Sequence, residues 1–215
     1  MDDGIGTIIS KLKEKGIYDN TIVYFLSDNG GRLKGDSDNG ELRGKKGNLF
    51  EGGIRVPFVM QWPGQIKGGQ TFDKPVSSLD IFATSKAITS PEITPKNKLH
   101  GVNLIPFLKG EKKHSPHSNL FWRNNFMQNK NELRTEASAV RSEKFKFIKN
   151  KQVDALYNLK KEISEQTNLK DQEKEMYDSL KNEYKRWSKT LMDPIFLGLL
   201  ANDQYNKLNP DRFKY

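Results

Sequence analysis

Ile5, Ile8, Ile9 and Leu12 recur at i, i+3, i+4 and i+7 behind Asp2 and Asp3, so residues 4–15 are expected to form an amphipathic helix that Gly16 ends. The period then changes. After the turn residues Asp19-Asn20, the run Thr21-Ile22-Val23-Tyr24-Phe25-Leu26 is continuously apolar and β-branched, the pattern of a buried strand in a parallel sheet. Helix, tight loop and buried strand together predict an α/β domain. Ser27-Asp28-Asn29-Gly30-Gly31 stops the strand, and a polar, glycine-rich loop follows to about Gly53. Residues 55–64 read as a second short strand closed by the Pro63-Gly64 turn, and Ser77 or Ser78 is placed to cap a helix carrying Leu79, Phe82 and Ile88. Pro91 and Pro95 within a polar run mark a loop from Ser90 to Lys98.

Beyond Gly110 the pattern shifts again. Glu111–Pro116 reads as a linker, followed by short strands near 118–123, 138–141 and 145–148 that suggest a small antiparallel sheet. Met176, Leu180, Tyr184, Trp187 and Leu191 form one helical stripe within 171–191, enough to pack across such a sheet. A boundary near 110–117 is therefore expected, separating an α/β portion, 1–112, from an α+β portion, 113–215, whose tail from 192 shows no clear periodicity.

Composition narrows the chemistry. The chain has no cysteine and three scattered histidines, so disulfides, thiolate metal sites and a cysteine nucleophile are excluded within it, and any metal is expected on oxygen ligands. Lysine and arginine total 36 against 27 acidic residues, a formal charge of +9 that favours a polyanionic partner such as nucleic acid, anionic lipid, or a sulfated or phosphorylated substrate. No apolar run approaches the roughly 20 residues needed to cross a bilayer, and Met1-Asp2-Asp3-Gly4 is acidic where a secretion signal is basic and then apolar.

The long loop leaves the carboxyl end of a predicted strand, where open α/β sheets bind ligands. Asp28 and Asn29 offer two hard oxygen donors from a rigid element, the ligand type that Ca²⁺ or Mg²⁺ takes, although such ions usually need more than two. The same four residues, Ser-Asp-Asn-Gly, are also ordinary turn chemistry. Lys45 and Lys46 stand between Gly44 and Gly47, where the backbone can approach an oxyanion and a lysine supplies a compact charge; a solvated basic loop is the alternative.

Residues 19–31, Leu42-Arg43-Gly44-Lys45-Lys46-Gly47-Asn48-Leu49-Phe50-Glu51-Gly52-Gly53-Ile54-Arg55-Val56-Pro57 and Trp62-Pro63-Gly64 closely resemble, in order and spacing, the second half of a formylglycine-dependent sulfatase of the alkaline phosphatase superfamily. Val76–Ile81, Gly101–Leu108, Leu156–Leu159 and Glu165–Leu169 are similar to that family too. The resemblance implies a partial alkaline-phosphatase-like sandwich with a mostly parallel sheet, followed by a small antiparallel sheet plus helix. It further implies a calcium site completed by Asp28 and Asn29, and a catalytic Lys46 that contacts the substrate sulfate. Together these would neutralise charge that develops as the S–O bond breaks. Glu51 and Arg55 match motif positions and are expected to pair within the loop. His100 stands where the family often has Asp, and His114 and His117 are expected to be solvated.

The family's nucleophile is a formylglycine made within Cys/Ser-x-Pro-x-Arg, and no such segment occurs among these 215 residues. Met1–Gly6 resembles the interior of a family helix, so the expectation is a chain beginning mid-domain, without the first half of the sheet and inactive alone. The implied activity is hydrolysis of sulfate esters, with carbohydrate sulfates preferred and aryl sulfates possible. A phosphodiesterase or phosphonate hydrolase of the same superfamily is the enzymatic alternative. The nonenzymatic one is a binder of sulfated polysaccharide through Arg141, Lys144, Lys146, Lys149 and Lys151. No nucleic-acid reading motif and no membrane insertion are expected, and bacterial relatives imply a periplasmic or extracellular parent.

Overall fold

The computed structural model describes residues 1–32, 37–90, 99–126 and 135–192. In chain order its elements are α1 (Asp2–Glu14), a 3₁₀ turn (Tyr18–Asn20), β1 (Val23–Leu26), α2 (Glu51–Ile54), β2 (Phe58–Gln61), α3 (Leu79–Thr89), α4 (Ile105–Leu108), β3 (Leu120–Phe126), β4 (Thr135–Arg141), β5 (Phe145–Lys149), β6 (Asp154–Asn158) and α5 (Lys174–Ser188). The loop expected at 90–98 lies almost wholly, and the tail from 193 wholly, outside the described residues. The chain divides into two compact units: Met1–Gly30 with Arg55–Ser118, and Gly31–Ile54 with Asn119–Tyr215. The first unit ends at Ser118, and segment 31–54, adjacent in sequence to the first unit, folds with the C-terminal residues.

In the first unit, β1 and β2 pair antiparallel in a two-stranded sheet, with Val23 opposite Gln61 and Leu26 opposite Phe58. The α/β class holds, but the parallel pairing expected for β1 is corrected among the described strands, and its residues are half-buried or exposed rather than buried. A continuous apolar run reports that both faces of a strand are greasy, which favours a parallel sheet without fixing the direction of the neighbour. On one face Tyr24 stacks parallel to Phe58, and its hydroxyl lies 3.5 Å from Ser85 of α3. Burial pushes the Tyr24 hydroxyl pKa above its ordinary value, with the Ser85 contact opposing that rise.

Helix α3 inverts its own pattern. The expected apolar face is open, with Leu79 and Phe82 58% and 65% exposed, whereas Asp80, Ala83 and Thr84 are buried. Backbone hydrogen bonds explain this. Asp80 accepts from the Ser77 and Val102 amides, both at 2.8 Å, and Thr84 accepts from the Leu104 amide at 3.0 Å. The polar side of the helix thus satisfies backbone groups of residues 77 and 102–104, which would otherwise be buried without partners. His117 completes the cradle, its Nε2 lying 2.9 Å from both Asp80 oxygens with a side chain only 10% exposed, which corrects the expectation that it is solvated. His114 is exposed, as expected.

The second unit is a four-stranded antiparallel sheet in the order β3-β4-β5-β6. Alternation along each strand sorts its side chains to two faces. Val140, Phe145, Phe147 and Leu156 pack against Tyr177, Leu180 and Tyr184 of α5. On the opposite face Ala139, Ile148, Ala155 and Tyr157 pack with Leu49, flanked by Phe50 and Ile54. The sheet is therefore covered twice, once by α5 and once by segment 31–54.

Candidate active site

Asp28 and Asn29 lie just past the end of β1. The Ser27 amide donates to the Pro57 carbonyl at 3.3 Å, extending the sheet by one bond, and the Ser27 hydroxyl donates to the Asn29 carbonyl at 2.8 Å. These bonds fix the turn, while Asp28 remains exposed, with one carboxylate oxygen accepting from the Asn29 amide at 3.0 Å. The pair supplies hard oxygen donors of the kind calcium takes, fewer than the six to eight such an ion usually has. Among the described residues, no group of three or more His, Asp or Glu side chains is placed to hold a metal.

Lys45 and Lys46 belong to the second unit. Their loop is built by backbone bonds: the Lys46 amide donates to the Gly31 carbonyl at 3.0 Å, and the Asn48 amide to the Lys45 carbonyl at 2.8 Å. Asn39 braces the loop's entry, accepting from the Gly31 amide and donating to the Gly44 carbonyl. Gly44 and Gly47 have φ of 87° and 89°, left-handed conformations that glycine adopts without steric cost. A Cβ on Gly53 would lie 2.1 Å from the Asn48 carbonyl oxygen, so the loop closes on itself at a point where no side chain fits. Both lysines project outward with exposed side chains, and the Lys46 ammonium has no hydrogen bond or ion pair among the described residues. A fixed backbone carrying an unengaged ammonium is suited to receiving an oxyanion.

Beneath that loop lies a charge network absent from the sequence reading. Lys146, on β5, is fully buried, with its ammonium 3.0 Å from Glu51 and 2.9 Å from Glu165, both carboxylates also buried. Glu165 Oε1 makes the ion pair with the ammonium, while its Oε2 accepts from the Glu51 amide at 2.6 Å. Arg141 approaches the other Glu51 oxygen at 3.4 Å. Arg43, at the loop's start, donates to the Glu165 carbonyl at 2.6 Å and to the Tyr157 hydroxyl at 3.2 Å, and its guanidinium lies 4.2 Å from the Phe50 ring centroid. Strand register assembles this group, since Arg141 pairs with Lys146 and Lys146 with Tyr157 across β4, β5 and β6. Burial raises the Glu165 carboxyl pKa despite the opposing charge of Lys146, and burial likewise raises the Tyr157 hydroxyl against Arg43.

One expectation is corrected here: Lys146 is a core residue rather than part of a basic surface, and it reaches Glu51 together with Arg141 of the sheet. The signal that could have identified Lys146 is its place in Phe145-Lys146-Phe147-Ile148, a strand buried on both faces. Asp28 and Asn29 fall in the first unit and Lys45 and Lys46 in the second.

Residues 1–89 match the family model described as Sulfatase. The chain is 37% identical over 129 residues to steryl-sulfatase of Rattus norvegicus, covering 56% of this chain and 22% of that protein. It is 38% identical over 123 residues to the uncharacterized sulfatase YdeN of Escherichia coli (strain K12), covering 57% and 22%. Among solved structures it is similar to Ps i-CgsB in complex with k-i-k-neocarrahexaose, with a TM-score of 0.82 and 29% identity over 97% of this chain and 44% of that one. Residues 1–89 thus resemble the sulfatase family, the chain has the alkaline-phosphatase-like fold of its structural neighbours, and it spans about a fifth of the length of the curated relatives it matches (22%).

Proposed function

We propose that the whole protein is a sulfuric ester hydrolase acting on carbohydrate sulfates, and that residues 1–215 contribute its sulfate-binding lysine loop and part of its calcium site. The observation that carries this reading is the exposed Lys46 ammonium, without a hydrogen bond or ion pair among the described residues, on a loop whose backbone is fixed by Gly31, Asn39 and the buried Glu51–Lys146–Glu165 group. Lys46 offers its charge to a sulfate oxygen where negative charge grows as the ester bond breaks, and the preformed loop leaves little reorganisation to be done at that moment. Asp28 and Asn29 would hold calcium together with ligands beyond the described residues. When bound, the ion supplies a second positive charge to the sulfate oxygens.

The carbohydrate preference is supported by the k-i-k-neocarrahexaose named for one structural neighbour. No helix among the described residues is long and apolar enough to cross a membrane, and a periplasmic or extracellular location is proposed on the family's habit. The test is hydrolysis of sulfated oligosaccharides by the full gene product containing these residues, with the matching phosphate esters as the competing class. Sulfate release that a calcium chelator abolishes is expected, and preferential phosphate-ester cleavage would overturn the reading. Lys46→Ala is expected to lower kcat/KM by about 10²–10³, the scale of losing one preorganised oxyanion contact, with the thermal midpoint unchanged. A variant with parental kinetics would remove Lys46 from its assigned role.

A further inference from the structure

We propose that the second unit carries a noncatalytic binding pocket for sulfated glycan chains, formed where the β5–β6 turn meets α5. The pocket has a volume of about 360 Å³, within the range of ligand-binding sites, and no residue of the lysine loop lines it. Lys149, Asn150 and Lys151 form its wall on the turn side, and Lys181 and Lys185, one helical turn apart, form the wall on α5. Phe147 and Tyr184, both buried, make its floor.

The geometry follows from the sheet. Phe147 and Lys149 are two residues apart on β5 and therefore share the face that α5 covers. The helix seals that face at Phe147 through Tyr177 and Tyr184. At Lys149 the contact gives way to open space, so Lys149 of β5, Lys151 of the turn and Lys181 and Lys185 of α5 border one cavity. Two acidic groups near it take other lysines as their shorter partners. Asp154 takes Lys170 at 2.8 Å and the Tyr177 hydroxyl at 2.6 Å, leaving Lys149 at 3.8 Å, and Asp178 pairs with Lys174 at 2.9 Å. Burial acts to raise the Asp154 carboxyl, but the Lys170 and Tyr177 hydrogen bonds and the nearby lysine charges outweigh it and hold its pKa below the ordinary value.

The chemistry of the lining narrows the ligand class. All four cations are lysines, compact point charges suited to oxyanion groups such as sulfate. The two aromatic rings are buried in the floor and present no open face for stacking bases, which single-strand nucleic-acid binders require. Asn150 adds an amide beside the charges, of use to a sugar hydroxyl. The choice of sulfated sugar rests on the sulfatase reading above, and the pocket would hold a polymeric substrate by a second point, raising its effective concentration.

The test is calorimetric titration of the full gene product with a heparin-derived hexasaccharide, its desulfated counterpart and a single-stranded DNA hexamer, alongside an aryl sulfate hydrolysis assay. The sulfated hexasaccharide is expected to bind, and to be released at about 1 M ionic strength, where the screening length is about 3 Å. Lys181→Glu/Lys185→Glu is expected to weaken it roughly tenfold through loss and reversal of two exposed charge contacts, with aryl sulfate turnover unchanged. Lys149→Glu/Lys151→Glu, on the other wall, is expected to do the same, which guards against a folding defect in α5. Parental affinity in both double variants, equal binding of the desulfated sugar, or tighter binding of the DNA would overturn the proposal. Glycan binding lost in both double variants, with no sulfate hydrolysis by the parent, would uphold the pocket and defeat the sulfatase reading.

Discussion

The two units solve the problem of burial differently. In the second, nearly every large apolar side chain of β4, β5 and β6 is covered, from one face by α5 and from the other by Leu49 and its neighbours. In the first, the buried hydrophobic residues among those described are Ala83, Leu104 and Phe107, while Ile8, Phe25, Val59, Leu79 and Phe82 are exposed. What organises α3 there is a buried carboxylate with its ring of donors rather than an apolar seam. The contrast teaches that amphipathic patterning specifies which face of an element is greasy but not whether anything covers it. It also shows that a polar residue can be the more deeply buried one when it satisfies the backbone packed against it.

The sharpest way to break this comparison is at Lys146. Lys146→Met leaves two buried carboxylates facing each other without their cation, and is expected to destabilise the second unit by about 3–5 kcal/mol, read as a loss of hydrogen-exchange protection across β4, β5 and β6. A change under about 1 kcal/mol would mean that the network is wet or remodelled rather than sealed. In the first unit the matching test is Asp80→Ala, which strands the Ser77 and Val102 amides and is expected to cost about 1–3 kcal/mol, with protection lost around α3 and 101–104 and retained in the sheet of the second unit.

A smaller effect concerns pH. The Glu165 carboxyl is raised by burial, so between its ordinary value and its raised one the folded chain holds a proton that the unfolded chain has released. Stability of the second unit from this group is fully present below the ordinary glutamate value and is lost as pH rises through the folded one. Glu165→Gln is expected to flatten that fall in urea melts taken from mildly acidic to neutral pH, and a parallel slope in parent and variant would refute the assignment. Smallest of all is Phe82→Ser, placed on the open face of α3. It is expected to shift stability by no more than about 0.5 kcal/mol, and a substantially larger loss would show that something covers that face in solution.

Much of this was legible in the residues. The helix at 2–14, the strand ending at Leu26, the helical stripe of 174–188 and three of the four C-terminal strands follow from periodicity and turn chemistry. Strand β6 did not announce itself, since Ala155-Leu156-Tyr157 is a short apolar run equally compatible with other states. The lysine loop was visible because glycines bracket Lys45 and Lys46 at positions that turn out to need positive φ. What holds that loop was not visible, because Lys146 lies 95 and Glu165 114 residues beyond Glu51, and each reads alone as a solvated charge.

By itself the sequence determined the α/β character, the absence of thiolate donors, the basic balance and the resemblance that pointed to sulfate chemistry, since these depend on local pattern and composition. Only the tertiary structure decided that segment 31–54 folds with the C-terminal sheet, that β1 and β2 run antiparallel, and that one lysine of a basic stretch is core while two others border a pocket. The physical reason is the same in each case. Direction, partner and burial are properties of what lies across a gap in space, and a charged side chain carries no mark in the sequence of whether that gap holds water or a counter-charge.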